Sequence, residues 1–387
     1  MQITVKEKVM QGKPYAGNPH VRFDEGADVS ARPVRSALLY EIVKVKSFAR
    51  AGLLGNPSDG YFGKTLSFAF ANFGVDLSLT ESSRMRFVPG EVDDAMFDSP
   101  EQLVHDLRIF GYYGGIRMLK AVSKLFFEYC MEHGIEIPRR NFTAEYKINV
   151  PRLVGLSGSS AICSAMLKAL MKFYGVTLPE KYAPTLCLEA ERDELGINCG
   201  YQDRVIQMYN GLVFMDFDRA YLEEHGYGKY ERLSPALLPN MYVAYDPNRA
   251  EESGKAHKKV KKLFEQKRPD VVSAMSEFAD IAQKGRDALV AGRKGDLAAL
   301  INANFDLRDS IFNVSEENRR MVKVARAAGA SAKFAGSGGA IVGTYEDDAQ
   351  FERLSAALSE VGCRTLKPVI VESDEAVLTG EGVWRNS

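Results

Sequence analysis

The sequence has few cysteines, no excess of either charge and no long apolar run, and each lack removes a class of protein. Its five cysteines, Cys130, Cys163, Cys187, Cys199 and Cys363, are widely spaced and odd in number. No C-x-x-C pair occurs, and the five histidines show no metal-ligand spacing against the cysteines. A disulfide framework or zinc centre is therefore not what organises the fold. Fifty basic against 51 acidic residues leave a formal net charge of −1, whereas a nucleic-acid-binding domain usually shows a strongly basic face. No stretch approaches the roughly 18 to 20 apolar residues that span a bilayer. The opening M-Q-I-T-V-K-E-K also lacks the apolar core of a signal peptide. The expectation is a cytoplasmic protein with neither nucleic acid nor membrane as partner.

What is present is an ordinary globular composition on a long chain. At 387 residues, 45% hydrophobic and 26% charged, the chain exceeds one typical core, so two domains are expected, 1–215 and 216–387. The first 35 or so residues are polar and aperiodic. Strand-like runs follow at 38–48, 65–80 and 84–88. The run S-P-E-Q-L, with Ser99 as N-cap and Pro100 at the first position, starts a helical stretch that Gly134 stops. Phe142, Ala144, Tyr146, Ile148 and Val150 alternate with polar residues, which predicts a half-buried strand. Ile162, Ala165, Met166, Ala169, Leu170 and Phe173 then recur at helical spacing. Further helices are expected at 179–195, 252–285, 286–328 and 349–361, and strands at 212–217, 241–245, 332–334, 340–345 and 368–372. Mixed elements without a regular βαβ rhythm predict an α+β fold.

Four segments could carry chemistry. The first, P-R-L-V-G-L-S-G-S-S-A (151–161), joins the alternating strand to the helix after it. A helix N-terminus presents unpaired N–H groups and a partial positive charge, which favours an anion such as phosphate. The run matches neither G-x-x-x-x-G-K-[ST] nor G-x-G-x-x-G, and Ser and Gly would equally suit a simple capping turn. The second, C-L-E-A-E-R-D-E-L-G-I-N-C-G-Y-Q-D-R (187–204), holds acids at 189, 191, 193 and 194 that would ordinarily form a solvated helix face. Asp203 lies beyond a turn, twelve positions after Glu191. Phosphoryl transfer needs a metal ligand and a group that orients or deprotonates the attacking hydroxyl, and these two carboxylates could supply both. The third, A-K-F-A-G-S-G-G-A (332–340), is either a tight turn or a place where backbone approaches a ligand closely. The fourth, residues 50–63, sets Arg50, Asn56 and Asp59 among glycines, as a surface hairpin or as a ligand site in which Asp59 accepts hydrogen bonds from sugar hydroxyls.

Together, in order and spacing, these segments resemble the galactokinase, homoserine kinase, mevalonate kinase and phosphomevalonate kinase (GHMP) superfamily over most of the chain. The loop is similar to that superfamily's P-x-x-x-G-L-G-S-S-A, with one residue more: G-L-S-G-S-S-A. Within the superfamily the chain looks most like the glucuronokinase family, through A-R-A-G-L-L-G-N-P-S-D-G-Y-F-G-K-T, P-R-L-V-G-L-S-G-S-S-A-I, E-S-G-K-A-H and N-F-D-L-R. The expanded loop is shared with that family.

The resemblance implies an N-terminal ribosomal-protein-S5-like domain, a C-terminal ferredoxin-like α/β-plait domain and an active site in the cleft between them. It implies ATP and Mg²⁺, with Pro151, Gly155, Leu156, Ser157, Gly158, Ser159, Ser160 and Ala161 forming the ATP loop and Ser160 and Glu191 holding the metal. Asp203 becomes the acid-base or orienting carboxylate, and Arg50 the neighbouring cation. Asp59 with Asn56 meets the sugar, and Gly336, Ser337 and Gly338 line the floor of the cleft. The implied reaction is ATP-dependent phosphorylation of the anomeric hydroxyl of D-glucuronate, by a monomer or homodimer. The alternatives are a kinase for galactose, arabinose or a heptose phosphate, or an inactive binding protein on the same fold. A glucuronate pocket needs a cation for the carboxylate, for which Lys64 and Arg117 are candidates.

Overall fold

The computed structural model describes residues 42–90, 93, 114–248, 254–312 and 314–372. The aperiodic first segment and the expected helix start at Ser99 fall outside them. A long pair of strands begins the described chain. β1 (Ile42–Leu54) runs antiparallel to β2 (Lys64–Ser82), from Ile42 opposite Thr80 to Leu54 opposite Leu66. The register shifts between Phe48 and Ala49, where β2 carries three extra residues, 71–73, as in a bulge, and Arg50 comes just after that shift. Between the strands, Ser58–Tyr61 form a 3₁₀ turn whose Ser58 and Asp59 are buried. Residues 50–63 are therefore a strand end and a buried turn, which excludes the surface-hairpin reading.

After the short β3 (Arg86–Phe87) come α1 (Gly115–Glu132) and β4 (Asn141–Ile148). Gly134, at φ 62°, stands just past α1 as expected of a helix stop. In β4, Phe142, Ala144 and Tyr146 are buried and the residues between them are not. The chain continues through α2 (Gly158–Tyr174), α3 (Ala183–Glu189), α4 (Gln202–Tyr209), β5 (Leu212–Asp216), α5 (Arg219–His225) and β6 (Lys229–Leu233). The sheet order is β3-β4-β2-β5-β6, with β1 also on β2. β2 serves two partners in turn: Lys64–Phe68 pair with β5 and Val75–Ser82 with β4. The six apolar positions read as the face of α2 are fully buried, in a core shared with α1, β2 and β4.

The remaining chain forms β7 (Met241–Tyr245), α6 (Gly254–Glu265), α7 (Pro269–Val290), α8 (Leu297–Ile311), α9 (Glu316–Ala327), β8 (Lys333–Phe334), β9 (Ala340–Thr344), α10 (Asp348–Ser359) and β10 (Arg364–Leu366). The second sheet is antiparallel throughout, in the order β10-β7-β9-β8. The α+β architecture expected from the sequence is what forms.

Several local expectations change. The two long helical stretches at 252–328 are four helices. Pro269 starts α7, a position where its missing N–H costs nothing, and Gly292 turns left-handed at φ 74° after it. The helix expected at 179–195 shortens to α3 and then widens into a π-helical turn at Ala190–Glu194. The strand expected at 368–372 is a single bridge between Phe70 and Ile370, and the pairing strand lies earlier, at β10. Among the described residues, no helix is long and apolar enough to cross a membrane.

Candidate active site

The loop at 151–157 enters α2 through three left-handed residues: Leu153 (φ 56°), Gly155 (φ 74°) and Ser157 (φ 63°). No side chain caps the helix and no acid sits in its first turn. The first intrahelical bond runs from Ala161 N to Ser157 O, so the amides ahead of it have no partner within the helix. Such an end binds an anion. Gly155 is fixed by packing, because a Cβ there would lie 2.7 Å from Gly338 O and 3.1 Å from Ser337 N. Gly336 is equally constrained, since a Cβ would meet Gly155 O at 2.2 Å and the Arg50 guanidinium at 2.9 Å. The two glycine segments thus rest directly on each other.

Arg50 ties three segments together. Its Nε donates to Asp203 Oδ1 (2.7 Å), and its Nη1 donates to Gly155 O (2.6 Å) and Ala335 O (3.0 Å). The other oxygen of Asp203 accepts from Ser157 Oγ at 2.6 Å. Burial alone would push the Asp203 carboxyl up. The guanidiniums of Arg50 and Arg204, with the hydrogen bonds from Arg50 and Ser157, outweigh it and hold the carboxyl below its usual range. Asp59 shifts the opposite way. Burial, then the like charge of Asp203, raises its pKa to about 6, although its Oδ2 accepts from Gln202 N at 3.1 Å. The turn before α4 closes on Asp59: a Cβ on Gly200 would lie 2.0 Å from its Oδ2. Two neighbouring carboxylates pushed apart in this way suit different tasks.

The residues around these groups wall a cavity of about 320 Å³. Arg50, Asn56, Asp59, Pro151, Gly155, Leu156, Ser157, Gly158, Ser159, Asp203 and Ser337 all line it. Eleven candidate positions spread along the sequence therefore converge on one space. Ser160, Ala161, Glu191, Gly336 and Gly338 do not line it. Glu191 is fully buried in the π-helical turn rather than on a solvated face. Its Oε2 accepts from Nε and Nη2 of Arg204, and among the described residues its Oε1 has no hydrogen-bond partner. Ser160 is also fully buried, with its hydroxyl 3.4 Å from Ser157 O. Of the two cations expected to meet a carboxylate, Lys64 is held by Gln283 and Asp216, and neither it nor Arg117 lines the cavity.

Three residues of the site escaped the sequence reading. Arg308, at the end of N-F-D-L-R, donates to Asn56 Oδ1 (2.8 Å), Gly336 O (3.0 Å) and Ser337 O (3.0 Å). Lys333 is buried, and its Nζ donates to Gly52 O (2.5 Å) and Phe334 O (2.7 Å). Burial, then Arg308 and Arg50, hold its ammonium well below the usual lysine range. Lys261, on α6, lines the cavity. Arg308 and Lys333 each left a trace in the sequence, as members of segments already singled out, whereas Lys261 left none. Among the described residues, no three His, Cys, Asp or Glu side chains cluster as a metal centre.

Known proteins resemble this chain in sequence and fold. The family profile described as GHMP kinases N terminal domain matches residues 117–211, and that of GHMP kinases C terminal matches 286–362. A protein named probable glucuronokinase 2 from Arabidopsis thaliana is 44% identical over 322 residues, covering 81% of this chain and 87% of that protein. Glucuronokinase 1 from the same plant is 40% identical over 334 residues, covering 84% and 91%. The crystal structure of Lactococcus lactis galactokinase complexed with galactose shares the fold, at TM-score 0.69 and 16% identity over 86% of this chain and 94% of that one.

Proposed function

The chain belongs to the glucuronokinase family, and on that premise we propose that it transfers the γ-phosphoryl group of ATP to the anomeric hydroxyl of D-glucuronate. The observation that carries the proposal is the Asp203 carboxylate, held ionised at the wall of a cavity that also receives an uncapped helix N-terminus. The α2 amides bind the phosphates. Asp203 orients the sugar hydroxyl and takes its proton as the oxygen bonds to the γ-phosphorus. The bond from that phosphorus to the β,γ-bridging oxygen breaks, and ADP leaves. Arg50, beside Asp203, stabilises charge that spreads in the transition state. Asp59 and Asn56 accept hydrogen bonds from the sugar.

Mg²⁺ fits this site as a hard cation that takes one or two protein oxygens and the substrate phosphates. Glu191, with one buried oxygen lacking a hydrogen bond among the described residues, and the Ser160 hydroxyl are the residues that would hold it; both are buried outside the cavity lining and would have to turn toward the phosphates. When bound, Mg²⁺ neutralises charge on the phosphates.

The carboxylate of the sugar needs a cation. Of the cations lining the cavity, Arg50 is committed to Asp203, Arg204 to Glu191, and Arg152 sits in the phosphate loop. Lys261 stands on the sugar side, because its neighbour Val260 packs in one cluster with Tyr61, two residues from Asp59. Among the described residues it makes no ion pair. We assign it to the substrate carboxylate. Exchange of Lys261 for Met should raise KM for glucuronate by about 10- to 100-fold, the worth of a hydrogen bond to a charged group. Both kcat and KM for ATP should stay near wild type, and an unchanged KM for glucuronate would remove the assignment.

Release of ADP from MgATP on addition of glucuronate, in a coupled assay with a sugar panel, tests the reaction itself. Turnover with glucuronate exceeding that with galactose, arabinose or a heptose phosphate is expected. Turnover with galactose alone would replace the substrate, and silence across the panel would favour a binding protein.

A further inference from the structure

The expanded loop puts a serine where a glycine would be less strained. Ser157 has φ 63° and ψ 47°, a left-handed conformation that glycine adopts freely and residues with a Cβ avoid. Two side chains of α4, one turn apart, hold it. Gln207 Nε2 donates to Ser157 O at 2.9 Å and to Phe48 O at 3.0 Å, which anchors the serine to β1 at its register shift. Asp203, four residues earlier on the same helix face, accepts from Ser157 Oγ at 2.6 Å. The backbone of Ser157 is therefore fixed by one residue of α4 while its hydroxyl addresses another. Asp203 Oδ1 is bonded to Arg50 Nε at 2.7 Å. With each oxygen given one donor, the plane of the carboxylate is set, and its remaining lone pairs are left for the substrate.

We propose that Ser157 is a positioning residue, whose hydroxyl fixes the Asp203 carboxylate toward the reacting sugar hydroxyl instead of cradling phosphate. The same residue occupies the N-cap position of α2, with its hydroxyl turned to Asp203 and not to the helix amides, so phosphate seat and proton acceptor are set relative to each other by a single serine. An unfavourable backbone conformation retained at such a point is what a functional hydroxyl would require. The proposal rests on the reading of Asp203 as the group that orients and deprotonates the substrate.

Steady-state kinetics of S157A, S157G, D203N and the double variant S157A/D203N, with melting curves for each, test it. S157A and S157G should lose about 10- to 100-fold in kcat, the loss of one hydrogen bond to a charged group. Their KM for ATP should stay within about twofold of wild type. S157G should melt at or above wild type, because glycine relieves the left-handed strain, so its loss of turnover cannot come from misfolding. The double variant should be no slower than D203N, since nothing is left to position. A wild-type kcat in S157A, a loss confined to KM for ATP, or additive losses in the double variant would overturn the proposal. If D203N kept full activity, the reading of Asp203 and this proposal would fall together. If D203N were inactive and S157A fully active, only this proposal would fall.

Discussion

Asp203→Asn is expected to lower kcat by about 10²- to 10⁴-fold, the usual range for loss of a positioned general base, with the fold kept. Asparagine has the same shape. Its carbonyl can still accept from Arg50 Nε, and the Ser157 hydroxyl, which donates to Asp203 Oδ2, can rotate to accept from the new amide. What disappears is the negative charge and the ability to take a proton. KM for ATP should change little, because the phosphates are assigned to the α2 amides. Steady-state kinetics with circular dichroism check this, and near-full turnover would remove Asp203 from the mechanism. The variant should also alter acid stability. The carboxyl is held below its usual range in the folded protein, so its ionised form stabilises the fold above the unfolded-state pKa. That contribution fades as pH falls through the folded value. Melting of the variant should therefore depend less on pH at the acid end than melting of the wild type.

Asp59→Asn should do the reverse to stability while also impairing function. Burial raises the Asp59 pKa from 3.8 to about 6, so the folded chain holds this proton more tightly than the unfolded one. Stability from this group is present in full below the unfolded value and is lost as pH rises through about 6. By pH 8 the ionised group costs on the order of 3 kcal/mol. Asparagine carries no charge and can still accept from Gln202 N. The variant should therefore melt higher than wild type at pH 8, with the gain vanishing near pH 4. Its kcat/KM for the sugar should nevertheless fall by about 100-fold, because a charged acceptor for sugar hydroxyls is gone. Calorimetry at the two pH values together with kinetics decides the matter. Lower stability at both pH values, or wild-type kinetics, would count against this account. A site that is less stable for the sake of its chemistry is a familiar trade.

The parts of the fold that were legible in the sequence are those written in local periodicity. Strand β4 shows its buried Phe142, Ala144 and Tyr146 at every second place, and α2 shows its face at helical spacing. The loop at 151–157 stood out because glycines and serines between a strand and a helix suit either an anion or a capping turn, and among the described residues no side chain caps the helix it enters. Asp203 and Arg50 were picked out as types in suggestive places, but their bond spans 153 residues, and no periodicity reports such a distance. The acids of 187–194 show the limit most clearly. Glu189, Asp193 and Glu194 are at least partly exposed as a solvated face predicts, whereas Glu191 is sealed against Arg204. Four acids in one short segment look alike until the turn widens and carries one of them inward. Lys261 was hidden for the same reason. It is one of several lysines in a basic helix, and only the packing of α6 on Tyr61 distinguishes it.

The grip of Arg308 has a consequence for how such a pocket could change its preference. One guanidinium holds the side chain of Asn56 and the carbonyls of Gly336 and Ser337, so the residue proposed to meet the sugar and the second glycine segment share a fastening. An exchange at Asn56 made to suit a different sugar would leave a buried cation short of an acceptor and would loosen that glycine segment in the same step. Substitutions at 56 and 308 are thus coupled rather than additive, and an intermediate carrying only one of them is expected to be worse than either end point. On the proposed assignment of Asn56 to the sugar, a change of specificity would therefore involve the pair 56 and 308 together.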